Sequence, residues 1–150
     1  MTYTIIGRCS RTSRLGIGIA TFSLAVGGYC PSVNSDVGVV SSQAYANPQL
    51  RDIAMRLLQT GLPPQKVLQE LERQDPHIDY RQLGIVDRQG SGAAHTGGMA
   101  RSWAGHAAGQ DYVAMGNSLM GRDVVEQMAD SFAKSPDLDL DERLLRALGA

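Results

Sequence analysis

The chain has 150 residues, enough for one domain with a buried core. Its 14 Lys and Arg nearly balance its 15 Asp and Glu, and no basic stripe runs along it, so nucleic acid is not an expected partner. No apolar run is long enough to span a membrane and the opening residues lack a leader pattern; Cys9 and Cys30 form no disulfide framework. The expected setting is therefore cytoplasmic, with no membrane and both thiols reduced.

Tyr3–Ser10 is rich in β-formers, and a polar turn at residues 11–14 separates it from Leu15–Thr21. In LGIGIAT the large side chains at 15, 17 and 19 share one face and leave the other to glycine. A bare strand face implies that something packs closely there, so the two strands are expected to form a hairpin flat against a second layer. Residues 23–33 are short, apolar and punctuated by Gly and Pro, and Asp36–Ala44 reads as a further strand. Asn47 is a good N-cap with Pro48 at the first helical position, Leu50, Ile53, Ala54, Leu57 and Leu58 keep helical spacing, and Gly61 closes the helix. A second helix over residues 63–75 turns Val67, Leu68 and Leu71 inward.

RQLGIVD and SGAAHTG flank a turn at residues 88–90 and read as a hairpin. The segment GGMARSWAGHAAGQ reads as a Gly/Ala-rich connection, followed by a strand at DYVAMGN. Two more helices follow, the first with Val124, Val125, Met128 and Phe132 inward. The order is four strands, two helices, three strands, two helices. It lacks βαβ alternation, so a parallel doubly wound sheet is disfavoured in favour of stacked sheets with helices outside.

Several side chains carry possible chemistry. Thr2 stands at the mouth of the first strand, and aminopeptidase removal of Met1 leaves a hydroxyl and a free α-amine on one residue. With a pKa near 8, that amine can take the proton from Oγ as it attacks a carbonyl. The plainer reading is that Thr is simply common at position 2. Thr21 should lie beside Thr2 if the hairpin is right. Gln43 and Asn117 sit at strand ends, where they either cap the strand or donate to an oxyanion. His95 and Thr96 close a strand of small residues; His95 either orients a nucleophile or binds substrate, with Thr96 beside it as a substrate-binding candidate, or it makes one structural hydrogen bond. Arg8, Ser42, Tyr45, Asn47, Trp103 and His106 are candidates for a substrate pocket. Arg8, in a central strand, must pair with a carboxylate of the protein or of a substrate, and Trp103 is better explained by packing. His95, His106 and Cys30 match no metal-ligand spacing, and the glycines make no nucleotide loop, so no metal or cofactor is expected.

The opening hairpin resembles that of proteasome β subunits and related Thr amidohydrolases. A closer resemblance is to the bacterial family DUF1028, carried in order by MTYTIIGR, LGIGIATFSLAVGG, SSQAYANP, RQLGIVDRQGSGAAHTG, WAGH and GNSLMG. The resemblance implies an α+β fold of the N-terminal nucleophile (Ntn) hydrolase type, a four-layer αββα sandwich, with Thr2 as nucleophile and backbone donors near Ser42, Gln43 and Ala44. It implies hydrolysis of a small amide-like substrate; the alternative is a non-catalytic binding module on the same scaffold. Family members carry further strands after the last helix, so the sheet here is expected to lack C-terminal strands. A sheet edge left open in this way is expected to be covered in a homodimer or larger homo-oligomer.

Overall fold

The computed structural model describes residues 1–150. It holds eight strands and five helices: β1 (Thr2–Arg8), β2 (Leu15–Thr21), α1 (Val26–Tyr29), β3 (Pro31–Asn34), β4 (Gly38–Ala44), α2 (Pro48–Gln59), α3 (Pro64–Gln74), β5 (Arg81–Asp87), β6 (Gly92–Thr96), β7 (Gly105–Gly109), β8 (Tyr112–Asn117), α4 (Arg122–Ala133) and α5 (Leu140–Leu148). The strands make two four-stranded sheets, β2-β1-β8-β7 and β3-β4-β5-β6, antiparallel at every pairing. No helix is long and apolar enough to cross a membrane.

Strand alternation decides where each side chain goes. In β1, Ile5 joins the buried cluster built with Val125, Met128, Phe132, Leu140 and Leu144 of α4 and α5. Its neighbour Ile6 faces the other sheet and packs with Val39, Val86, Val113 and Met115. The third cluster backs the second sheet, where Leu50, Ala54 and Leu58 of α2 and Val67, Leu68 and Leu71 of α3 cover Val40, Leu83 and Ile85. Full burial of each such side chain stabilises by roughly 1.5–3 kcal/mol.

The glycine face of β2 lies under α5. A methyl group at Gly16 would sit 2.9 Å from Leu144 Cδ1, and one at Gly18 would sit 2.8 Å from Leu148 Cδ1. The layer that the bare face accommodates is thus a helix, while Leu15 and Ile17 turn toward the other sheet. At the start of α2, the Asn47 side chain accepts from the Gln49 N–H at 3.1 Å, and Pro48 occupies the first turn.

The structure corrects the expected strand count in one place. The Gly/Ala-rich connection contains β7, which pairs with β8 from Gly105↔Gly116 to Gly109↔Tyr112. Its sequence GHAAG has no β-branched or large aromatic residue to announce a strand, and its pairing with β8 makes it one. Residues 23–33 resolve into the single-turn α1 and the short edge strand β3.

Candidate active site

Between the two sheets the apolar core does not run from end to end. Toward the start of β1 it gives way to Thr4, Gln43, Gln82 and Asn117, all buried. These polar groups satisfy one another, as low-dielectric surroundings require. Thr4 donates its hydroxyl to Gln43 Oε1 at 2.6 Å, and Gln43 Nε2 donates to Gln82 Oε1 at 2.8 Å. Asn117 Nδ2 donates to the same Gln82 oxygen at 3.1 Å. Gln82 Nε2 in turn reaches Thr96 Oγ1 and the carbonyls of Gly116 and Gly105, at 2.9, 2.8 and 3.1 Å.

Thr2 stands at the open end of this network. It pairs with Thr21 of β2 on one side and Asn117 of β8 on the other. Thr2 Oγ1 and Thr21 Oγ1 are 3.0 Å apart. Thr21 Oγ1 also donates to the Met1 carbonyl and accepts from the Ser23 N–H, each at 3.2 Å. With the Thr21 proton on Met1 O, the Thr2 hydroxyl is the donor between the two threonines. A cavity of about 190 Å³ opens here, lined by Thr2, Phe22, Tyr45, Arg101, Asn117 and Ser118 among others.

One wall of the cavity is held from behind. The Tyr45 carbonyl accepts from Arg81 Nη1, and Arg81 Nε donates to Asp75 Oδ2 at 2.9 Å. Burial opposes ionisation of Asp75, but the hydrogen bonds from Arg81 and the His77 N–H outweigh it and hold its carboxyl below the ordinary value. The Tyr45 ring meets Tyr80 edge-on at 5.7 Å, and Tyr80 lies in a 3-10 turn, Ile78–Tyr80, laid against the segment after β6. Gly97 makes that approach possible, because a methyl group there would overlap the Asp79 backbone. Gly97→Ala is therefore expected to cost about 1–3 kcal/mol, the ordinary penalty of overpacking, read as a lower midpoint in denaturant. An unchanged midpoint would show that this backbone yields freely.

Of the residues singled out in the sequence, Thr2, Thr21, Tyr45 and Asn117 come together around or beside the cavity. Gln43 lies one step inward, its side chain committed to Thr4 and Gln82. Thr96 belongs to the same network, and 2.9 Å separates its Oγ1 from His106 Nδ1. The part of the His106 ring that packs away from water, with a smaller effect from His95, holds that imidazole below its ordinary pKa.

The others are elsewhere. His95 faces the helices, with Nδ1 3.0 Å from Glu72 Oε1 and Nε2 3.2 Å from the Ile78 carbonyl, so it neither orients Thr2 nor lines its cavity. Ser42 is buried on that same helix-facing side of its sheet, where its Oγ accepts from the Asn47 N–H, and Asn47 itself caps α2. Arg8 is at the far end of β1, about 20 Å along the strand from Thr2. There it pairs with Asp111 at 2.9 Å, so the carboxylate that it requires comes from the protein. Trp103 packs beside α4 and shares a separate cavity with His106, Arg122 and Glu126. No group of three or more His, Cys, Asp or Glu is arranged to hold a metal. Sequence reasoning missed Gln82 and Arg101: the first resembles any polar residue at a strand start, and the second lies in a loop without periodicity.

Two antiparallel sheets backed by helices, with a polar cavity at the start of β1, define an α+β protein whose first strand supplies the candidate nucleophile. The model of DUF1028, a family of unknown function, matches residues 2–150, and the chain belongs to that family. The crystal structure of protein SPO2555 from Silicibacter pomeroyi, described with the same family, is similar over 98% of this chain and 68% of its own, with 31% identity and a TM-score of 0.93. No curated protein matches the chain.

Proposed function

We propose that the chain is an Ntn-type amidohydrolase, its helix, sheet, sheet and helix layers forming the αββα sandwich of that superfamily, with Thr2 as nucleophile. The observation that carries the reading is the placement of Thr2 Oγ1, 3.0 Å from Thr21 Oγ1, between Thr21 and Asn117 at the mouth of a small cavity. Removal of Met1 turns the Thr2 nitrogen into an α-amine. It also takes away the carbonyl to which Thr21 donates, and so leaves the Thr21 hydroxyl beside the new amine.

In the reaction, Thr2 Oγ attacks the amide carbonyl while the α-amine takes its proton. Asn117 has one N–H engaged with Gln82 and a second free to donate to the tetrahedral oxygen. Collapse of that intermediate breaks the C–N bond, and the leaving amine takes the proton from the α-ammonium. The resulting ester on Thr2 is then hydrolysed by water with the amine again as base. No cofactor takes part in these steps.

Intact mass and N-terminal sequencing of the native protein test this reading. A chain beginning at Thr2, with turnover on a panel of small amides, is the expected result. Retention of Met1 would leave the amine on the wrong residue; it would overturn the nucleophile assignment and favour a binding module built on the same cavity.

A further inference from the structure

We infer that Arg101 is the anchor for a carboxylate on the substrate, so that the cavity beside Thr2 takes small amides bearing a free acid group. The inference deepens the Thr2 reading and rests on it for the scissile bond, though not for binding.

Arg101 is the only charged side chain lining the cavity. None of the chain's nine ion pairs includes it. It is nevertheless tethered at both ends. Its carbonyl accepts from the Ser118 N–H at 2.8 Å, which fixes its main chain next to Asn117. Its guanidinium carbon stands 5.6 Å from the centre of the Tyr45 ring, and Nη2 donates to the Tyr45 hydroxyl at 3.3 Å. Tyr45 is itself fixed through Arg81 and Asp75. One N–H is thus spent on positioning, and the remaining donors of the fork have no protein partner.

The chemistry of this site selects among anions. A planar guanidinium matches a planar carboxylate through two parallel hydrogen bonds. Phosphate sites gather several donors, from a glycine-rich loop, a helix N-terminus or a cluster of cations, and beside Arg101 the cavity offers only the Thr2 amine. With Met1 in place the cavity volume is about 190 Å³, below the roughly 300–1,000 Å³ of drug-sized pockets, so even with the room that Met1 vacates the substrate is small. Phe22 and Tyr45 supply the apolar surface for what connects its amide and its acid.

The test uses the full chain carrying Thr2→Ala, which binds without turnover, titrated with N-acetylglycine, its neutral analogue N-acetylglycinamide and inorganic phosphate, and followed by NMR. N-acetylglycine is expected to shift the Arg101 side-chain and Ser118 amide resonances and to bind at least tenfold more tightly than the neutral amide. Arg101→Gln is expected to erase that preference, and Arg101→Lys to keep part of it, because a charge remains while the fork is lost. Equal binding of acid and amide, an unchanged preference in Arg101→Gln, no binding of N-acetylglycine at its solubility limit, or tighter binding of phosphate would each overturn the inference. These results are independent of whether Thr2 is the nucleophile: a preference for acids with no Thr2-dependent turnover would sink the catalytic reading alone, and turnover of neutral amides without the preference would sink this inference alone.

Discussion

Replacing Thr2 by Ala is expected to lower hydrolysis of the best amide in a panel by at least about a thousandfold, the scale of loss when a nucleophile is removed. The fold should survive, because Thr2 is only half-buried at the start of its strand and its one side-chain hydrogen bond is with Thr21. Thr2→Ser keeps the hydroxyl and the amine and should retain turnover within about tenfold of the parent. Thr21 touches the proposed nucleophile without being it, so Thr21→Ala should cost roughly 10–100-fold, a positioning effect. The pH profile separates this mechanism from one using a histidine. With the α-amine as base, kcat/KM rises with pH up to the amine pKa of about 8 and then levels, and the rise persists in His95→Ala. His95 is held by Glu72 and the Ile78 carbonyl on the opposite face of its sheet, so its removal leaves the Thr2 surroundings untouched. Full activity in Thr2→Ala, or a profile abolished by His95→Ala, would move the nucleophile elsewhere.

Much of the scaffold was readable because its periodicity is strong. LGIGIAT showed both its direction and its bare face, and the helices α2 to α5 follow from apolar spacing and from caps such as Asn47. The pairing of Thr2 with Thr21 follows from the hairpin alone, since seven-residue strands joined by a short turn bring their outer ends together. What could not be read is the phase of strands made of small residues. In SGAAHTG nothing apolar and large fixes which face is inward. Ala93 proves to face the helices and Ala94 the other sheet, so His95 goes with the helices and Thr96 with the network. The same problem hid β7, whose GHAAG has only small residues beside one histidine. Ser42 and Gln43 are adjacent in one strand and so point to opposite faces. Naming both as site residues could be right for a backbone donor, but only one of the two side chains could face Thr2. Arg101 illustrates a different limit. A loop cation is ordinarily a solvated surface group, and what distinguishes this one is its tether to Tyr45, more than fifty positions away in the chain.

Gln82 joins the two halves of the site, and its replacement should have the largest effect on stability of any single change described here. Its side chain is fully buried and meets five partners drawn from β4, β6, β7 and β8. Gln82→Leu keeps most of the volume but takes the acceptor from the N–H groups of Gln43 and Asn117 and a donor from the carbonyls of Gly105 and Gly116. Each buried group left unpaired costs about 1–3 kcal/mol, and relaxation or entry of water recovers part of the sum, so a loss of about 3–5 kcal/mol is expected. In a chain of this length that lowers Tm by roughly 10 °C. Gln82→Glu is the sharper test. Its carboxylate can accept from Gln43 and Asn117 as the amide oxygen does, but its second oxygen faces the Gly105 and Gly116 carbonyls, where the native amide donates. Protonation supplies one donor in place of two, so Gln82→Glu should be more stable at low pH than at neutral pH relative to the parent, as a carboxyl with a raised pKa demands. Asn117 depends on Gln82 for its orientation, so both variants should also lose turnover through kcat even at temperatures where they remain folded. A Gln82→Leu protein with the parent's Tm and turnover would mean that the polar end of the core holds neither the sheets nor the site together.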